Sequence, residues 1–181
     1  MTMPDQPGFA LFDTAVGRCV VAWRDDGIAA VQLPEDDEAT SRRRLLRRLP
    51  GAVEGPPPTA VQRAVDRMTA LLDGEPDDLR DVQLDLAGVP AFDRQVYEVT
   101  RGIGPGSTLS YGEVAERVGL PGSAQAVGQA LGRNPFPIVV PCHRVLAADG
   151  GMRGFSAPGG VETKRRMLLR EGAPGVAPTL F

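Results

Sequence analysis

Residues 134–145 read NPFPIVVPCHRV, from Asn134 to Val145, and they set Cys142 directly before the only histidine in 181 residues, His143. A cysteine attacks as its thiolate, so it needs a proton acceptor or a positive field beside it. His143 is placed to act as that base, directly or through a water, and Arg144 to supply positive potential. Ile138, Val139 and Val140 read as a short buried strand stopped by Pro141, which would deliver the thiol at a strand end. The bland alternative is an inert packing thiol beside a surface histidine. The lone histidine, the proline-set turn and the small-residue helix just upstream favour chemistry.

Composition narrows what that chemistry can be. A chain that is 42% hydrophobic can bury a real core as one domain or two small ones. It has no apolar run long enough for a membrane span, and its N-terminus lacks the basic start and apolar centre of a signal peptide. The two cysteines, Cys19 and Cys142, are too few and too far apart for a CxxC pair or a zinc site. Both are expected to be free thiols in a reducing cytoplasm, with no metal and no cofactor. Net charge is −3, but residues 1–84 hold 15 acids against 10 bases and residues 85–181 hold 8 against 10. The basic surplus thus lies with Cys142.

The first third reads as three antiparallel strands over residues 9–34, turning at Val16-Gly17 and at Asp25-Asp26-Gly27. Cys19 falls inside the second strand and reads as a packing residue. The segment DDEATSRRRLLRRL (36–49) reads as a helix with acids first and arginines last, as the helix dipole prefers, its arginines forming a solvated face. Thr59 is a candidate cap for a helix ended by Gly74, with Val61, Val65, Met68 and Leu72 on its core side. Val82, Leu84 and Leu86 alternate like a strand, and the connector after them suggests a boundary at residue 88.

Residues 89–181 are mostly helical. A helix over 91–103 ends at GPGS, and Ser110 is placed to cap YGEVAERVG. After the turn LPG, Ser123 is placed to cap AQAVGQALGRN. Two short helices around a glycine turn form a helix-turn-helix pattern, weak by itself. The second carries Ala124, Ala126, Gly128, Ala130 and Gly132, which lets its backbone lie close to a neighbouring helix or a DNA groove.

With SYGEVAERVG (110–119), AVGQALGRNPFPIVVPCHRV (126–145) and GFSAPGGVETKRRMLLREG (154–172) read together, the chain resembles the O6-alkylguanine-DNA alkyltransferases. The resemblance is strong from Phe92 onward, about half the chain. It implies an α+β fold, a small N-terminal three-stranded antiparallel sheet with helices (1–88) followed by a winged-helix-like domain (89–181) holding the helix-turn-helix and the active-site cysteine. It implies repair by direct reversal: a guanine is flipped from double-stranded DNA and its O6-alkyl group passes once, irreversibly, to Cys142. O4-alkylthymine is a further candidate substrate, and a monomer is the expected state.

By position, the resemblance makes His143 the base, Glu171 its polarising carboxylate and Asn134 the hinge of the active-site turn. Tyr111, Leu131, Val145, Phe155 and Ser156 are its pocket positions, and Ser123, Gln125, Ala126, Gly128 and Arg133 face DNA. Lys164 matches a lysine of the site's scaffold. Met152 and Phe155 depart from the residues common in this loop. So does Gln125, which stands where the family usually has an intercalating arginine; Arg117, Arg133 and Arg153 are candidates to compensate on phosphates. Two other readings compete. Alkyltransferase-like proteins bind alkylated DNA without transfer but replace the cysteine, and a cysteine hydrolase needs an oxyanion hole that the sequence does not reveal.

Overall fold

The structure, a computed structural model, describes residues 6–25, 27–152 and 159–176. Strands β1 (Gly8–Thr14), β2 (Gly17–Arg24) and β3 (Gly27–Gln32) form the expected antiparallel meander, with Phe12 opposite Cys19 and Val21 opposite Val31. A fourth strand, β4 (Val53–Glu54), joins parallel to β1 and gives the order β3-β2-β1-β4. It lies in GAVEGPPPT, which reads as a loop because two exposed residues carry no alternation.

Helix α1 (Glu38–Arg48) is capped by Asp37, whose carboxylate accepts from Thr40 N at 2.7 Å, and its last turn holds Arg47 and Arg48. Strand alternation sends Val20 and Ala22 to one face, where Leu45 of α1 and Leu49, just past its end, cover them. Cys19, Val21 and Trp23 point the other way, onto α2 (Thr59–Leu72), and Val61, Val65, Met68 and Leu72 are all buried as the spacing predicts. Thr59 is not the cap. Pro58 holds that position, and its fixed φ suits the residue before a helix. Residues 82–86 form no strand either: Leu84 makes one bridge to Ile28, flanked by hydrogen bonds from Ile28 N to Gln83 O and from Asp85 N to Ile28 O.

The α2 side of the core continues without a break into the second half, through Val96 and Tyr97 of α3 (Ala91–Arg101), Val114 of α4 (Tyr111–Val118) and Val127 and Ala130 of α5 (Ala124–Gly132). Ser110 caps α4 in a full capping box with Glu113. Gly119 ends that helix at φ 86 and Gly122 turns the chain at φ 87, conformations that glycine adopts without strain. Ser123 does precede α5, but its hydroxyl makes no capping bond.

Two short strands, β5 (Leu109–Ser110) and β6 (Val145–Leu146), pair in parallel. They fix the start of α4 beside the chain that has just passed Cys142. Helix α6 (Gly160–Arg170) closes the far side of that chain.

Candidate active site

The segment before Cys142 is buried as expected but is not a strand. Ile138, Val139 and Val140 lie in a turn in which Ile138 has φ 78, a left-handed conformation that a β-branched residue rarely takes. The turn is held from inside by Asn134. Its Nδ2 donates to Val140 O at 2.9 Å and its Oδ1 accepts from Phe136 N at 2.9 Å. From outside, Val31 N of β3 donates to Pro135 O at 2.9 Å, so the N-terminal sheet braces the same turn. Asn134 thus pins the residue before Pro141 to the turn that follows α5.

Cys142 opens a single 3-10 turn, Cys142–Arg144, with its own N–H on Val140 O at 2.7 Å. Burial pushes its thiol above the ordinary value, while a hydrogen bond with Asn134 and the charge of Lys164 pull it back. The resting group is therefore the thiol, and it needs a base.

His143 is buried, and its Nε2 lies 2.8 Å from Glu171 Oε1. Burial acts to raise the Glu171 carboxyl, but the hydrogen bonds and charges of His143 and Arg144 outweigh it and hold the group at about 2. The carboxylate is then only an acceptor, so Nε2–H donates and Nδ1 carries the lone pair. Nδ1 is buried with no hydrogen-bond partner among the described residues. Burial also keeps the imidazole below its ordinary pKa, against the pull of Glu171, so it rests neutral. A neutral imidazole, fixed in tautomer by a carboxylate and with its other nitrogen unspent, is a base.

Arg144 does not serve Cys142 in the way the sequence suggests. It is buried and spent on Glu171, with Nε to Oε2 at 2.9 Å and Nη2 to Oε1 at 2.7 Å, and its Nη1 donates to Ile103 O at 2.6 Å. This bidentate clamp aims the carboxylate at His143. Glu171 sits just past the end of α6, where Gly106 lies so near that a Cβ there would be 3.1 Å from Glu171 O. The cation near the sulfur is Lys164 instead. It is fully buried on α6, donates to Val145 O at 2.6 Å and stands 5.9 Å from the centre of the Tyr111 ring. Burial lowers it to about 8.

Tyr111, Asn134, Cys142, His143, Val145, Lys164 and Glu171 thus gather around one turn. The half-buried Tyr111 packs beside Gly128, where an added Cβ would be 3.8 Å from its ring. Leu131 and Val145 are buried in the adjoining core. Gln125 is exposed on the first turn of α5, with Ser123, Ala126 and Gly128 partly exposed around it. Arg133 makes a two-point pair with the buried Asp93 at 2.8 and 3.1 Å while its side chain stays half exposed. Phe155, Ser156 and Arg153 lie outside the described residues. Two contributors have no marker in the sequence: Ile103, which offers only a backbone carbonyl, and Tyr97, whose hydroxyl donates to Ala130 O at 2.8 Å. Arg144 had a faint one, a charged residue inside an apolar run.

Known proteins carry the same arrangement of chain. The sequence profile of the 6-O-methylguanine DNA methyltransferase DNA-binding domain matches residues 91–173. The methylated-DNA–protein-cysteine methyltransferase of Methanothermobacter thermautotrophicus is 40% identical over 152 residues, which cover 84% of this chain and 78% of that protein. That of Mycolicibacterium paratuberculosis is 38% identical over 159 residues, 88% of each chain. Among solved structures, Mycobacterium tuberculosis OGT in complex with DNA superposes with a TM-score of 0.74 at 32% identity, covering 93% of this chain and 96% of that one. The likeness spans the N-terminal sheet as well as the Cys142 turn, and the chain belongs to the methylated-DNA–protein-cysteine methyltransferase family.

Proposed function

We propose that this protein repairs duplex DNA by taking the alkyl group of O6-alkylguanine, and of O4-alkylthymine, onto Cys142. The observation that carries this reading is His143, neutral, anchored through Nε2 to an ionised Glu171 and with an Nδ1 that has no partner among the described residues, one residue from the thiol. His143 takes the thiol proton, through a water where the geometry requires one. The sulfur attacks the alkyl carbon, the carbon–oxygen bond breaks with its electrons on guanine, and guanine recovers a proton. The new thioether has no route back to thiol, so each molecule acts once. Nothing in this displacement needs a metal or an organic cofactor.

Residues 89–181 form the DNA-binding and reacting unit in this reading, and residues 1–88 support it through the Val31–Pro135 bond and the shared core. α5 enters a groove, with Ser123, Gln125, Ala126 and Gly128 toward the duplex, while Tyr111, Leu131, Val145, Phe155 and Ser156 line the base pocket. A free thiol must persist until it meets damage, which suits a monomer working in the reducing cytoplasm.

Intact mass after mixing with an O6-methylguanine duplex tests the reading. The expected gain is one methyl in place of a hydrogen, kept in Cys19→Ala and absent in Cys142→Ala. Tight binding to the damaged duplex with no gain in mass would replace transfer by recognition alone.

A further inference from the structure

The segment that connects α2 to α3 is fastened to the N-terminal half along its length. Asp77 accepts from Leu79 N at 2.9 Å and pairs with Arg67 of α2 at 2.7 Å, and Arg67 also reaches Asp81 at 2.8 Å. Further on, Gln83 O and Asp85 N bond the backbone of Ile28 in β3. Between these ties the chain bends sharply. Leu79 sits at φ 52, a left-handed conformation uncommon outside glycine, and Leu79 O accepts from Val82 N at 3.2 Å. Both side chains of that bend, Leu79 and Val82, are buried.

Arg101, the last residue of α3, closes on this bend. Its Nη2 donates to Leu79 O and Arg80 O at 3.0 Å and to Val82 O at 2.8 Å. Its Nε is buried with no hydrogen-bond partner among the described residues. Burial lowers its pKa from the usual guanidinium value, against the pull of Glu98. A buried donor left unused costs stability, and a surface arginine would avoid that by turning to water or to the exposed Glu98. The side chain is held instead where one nitrogen meets three carbonyls.

The residues after Arg101 lead to the catalytic relay. Gly102 N and Ile103 N bond Val99 O and Thr100 O, both at 3.0 Å, so Ile103 is fixed to the end of α3. Ile103 O takes Arg144 Nη1 at 2.6 Å, and the rest of that guanidinium holds Glu171 against His143. The chain then runs through Gly104, Pro105 and Gly106 with no regular structure, and Gly106 lies close against Glu171 O. Val96, Tyr97 and Thr100 seat α3 in the core, but they leave a stretch with three glycines free to shift at its end.

Resting on the alkyl-transfer reading of Cys142, we propose that Arg101 is a positioning residue for the reaction. By pinning the end of α3 to the 79–82 bend it sets Ile103 O, and through Arg144 it sets the orientation of Glu171 and the tautomer of His143. The N-terminal half then enters the chemistry through a specific bond network as well as through packing. A small displacement of a positioned base is enough to slow transfer.

His143 is the only histidine, so nitrogen NMR of histidine-labelled protein reads one imidazole and shows which of its nitrogens carries the proton. Wild type at pH 7 should show a single neutral form protonated on Nε2. Arg101→Met keeps the apolar stem and loses the donors. It should show a mixture of Nε2–H and Nδ1–H forms, and transfer to Cys142 from free O6-methylguanine base, which needs no duplex, should slow about tenfold. Arg101→Lys again offers one nitrogen to several carbonyls and should restore the single tautomer and most of the rate. Arg94→Gln is the control. Arg94 grips Leu86 O at 2.7 Å and Val89 O at 2.9 Å in the same segment, but from the first turn of α3, and its loss should leave both readouts as in wild type. Denaturant melts show which variants fold, and Arg101→Gln takes the place of Arg101→Met if that variant does not. A folded Arg101→Met with one tautomer overturns the proposal, whatever its rate. So does an equal disturbance in Arg94→Gln, or an Arg101→Lys as impaired as Arg101→Met. Absence of transfer in wild type sinks the chemistry at Cys142 and leaves the tautomer comparison standing.

Discussion

The chain has two cysteines in two kinds of surroundings, and only their comparison shows what makes one of them reactive. Cys19 sits in β2 with no exposed surface, near the Thr14 hydroxyl and the Gly17 carbonyl, and burial drives its thiol up to about 12. Cys142 is also raised by burial, but Asn134, Lys164 and two backbone N–H groups oppose the rise, and a neutral imidazole follows it in the chain. A strand spreads its hydrogen bonds along its edges and leaves side chains to pack. The 3-10 turn of Cys142–Arg144 aims its N–H groups and consecutive side chains into one small volume. Burial alone makes an inert thiol; burial with a base and a cation makes one held in reserve.

Removing the carboxylate should erase most of that contrast. In Glu171→Gln the imidazole loses the group that fixes its tautomer, and Arg144 is left buried against a neutral amide. Single-turnover transfer should slow roughly 100-fold, and stability should fall by roughly 3–5 kcal/mol. The pH dependence follows from the depressed carboxyl. Glu171 is held at about 2, so its stabilisation is complete above the unfolded value near 4.5 and is lost as pH falls toward 2. The variant should lack that acid component in denaturant melts taken across pH. Arg144→Met/Glu171→Leu should recover most of the stability but none of the rate, since an apolar pair satisfies packing without supplying a base partner. A double variant that transfers normally would refute the relay.

Lys164 gives the next largest effect. It is charged below about 8 and neutral above, so its support of a Cys142 thiolate operates at neutral pH and fades through pH 8. Lys164→Gln should slow transfer about tenfold at pH 7, the effect of one unit in the thiol's pKa. Wild type and variant should converge as pH rises past 8, whereas loss of scaffold alone would hold their ratio constant. Stability should change little. The depressed pKa costs folding about 3 kcal/mol while the lysine is charged, and the bond to Val145 O returns about 1.5–3 kcal/mol. The cost is full below pH 8 and is relieved between 8 and 10.5.

The sequence made one end of this site legible and hid the other. Proline, cysteine and histidine in a row announce chemistry because their side chains have few other uses together. Glu171 became visible only through resemblance, since it stands 28 residues from His143 and meets it through the docking of α6. The apolar run before Cys142 has the composition of a strand, yet Asn134 and the two prolines, Pro135 and Pro137, fold it into a turn. Composition reports burial, and local hydrogen bonds decide shape. Likewise β4, too short to alternate, and the residues around Leu84 are settled by what lies beside them. Arg144 reads as a charge for the thiol, and only the placement of Glu171 shows where it is used.

Gln125 separates the readiness of the sulfur from delivery of the base to it. It is exposed on α5, whereas Cys142 is partly buried and the His143 and Glu171 side chains are buried, so substitution there should leave thiol chemistry alone. Gln125→Arg adds a cation near the helix N-terminus, where the dipole opposes it by about 0.3–1 kcal/mol, and a duplex phosphate or an opened base stack rewards it. The net expectation is a few-fold tighter binding and a salt slope steeper by about one unit. Transfer from duplex should quicken by a similar factor at subsaturating protein, with transfer from the free base unchanged. If the free-base rate moves as well, position 125 communicates with Cys142, and the separation between poise and delivery does not hold. If neither binding nor slope moves, the first turn of α5 does not reach the duplex, and the groove contact must lie further along the helix.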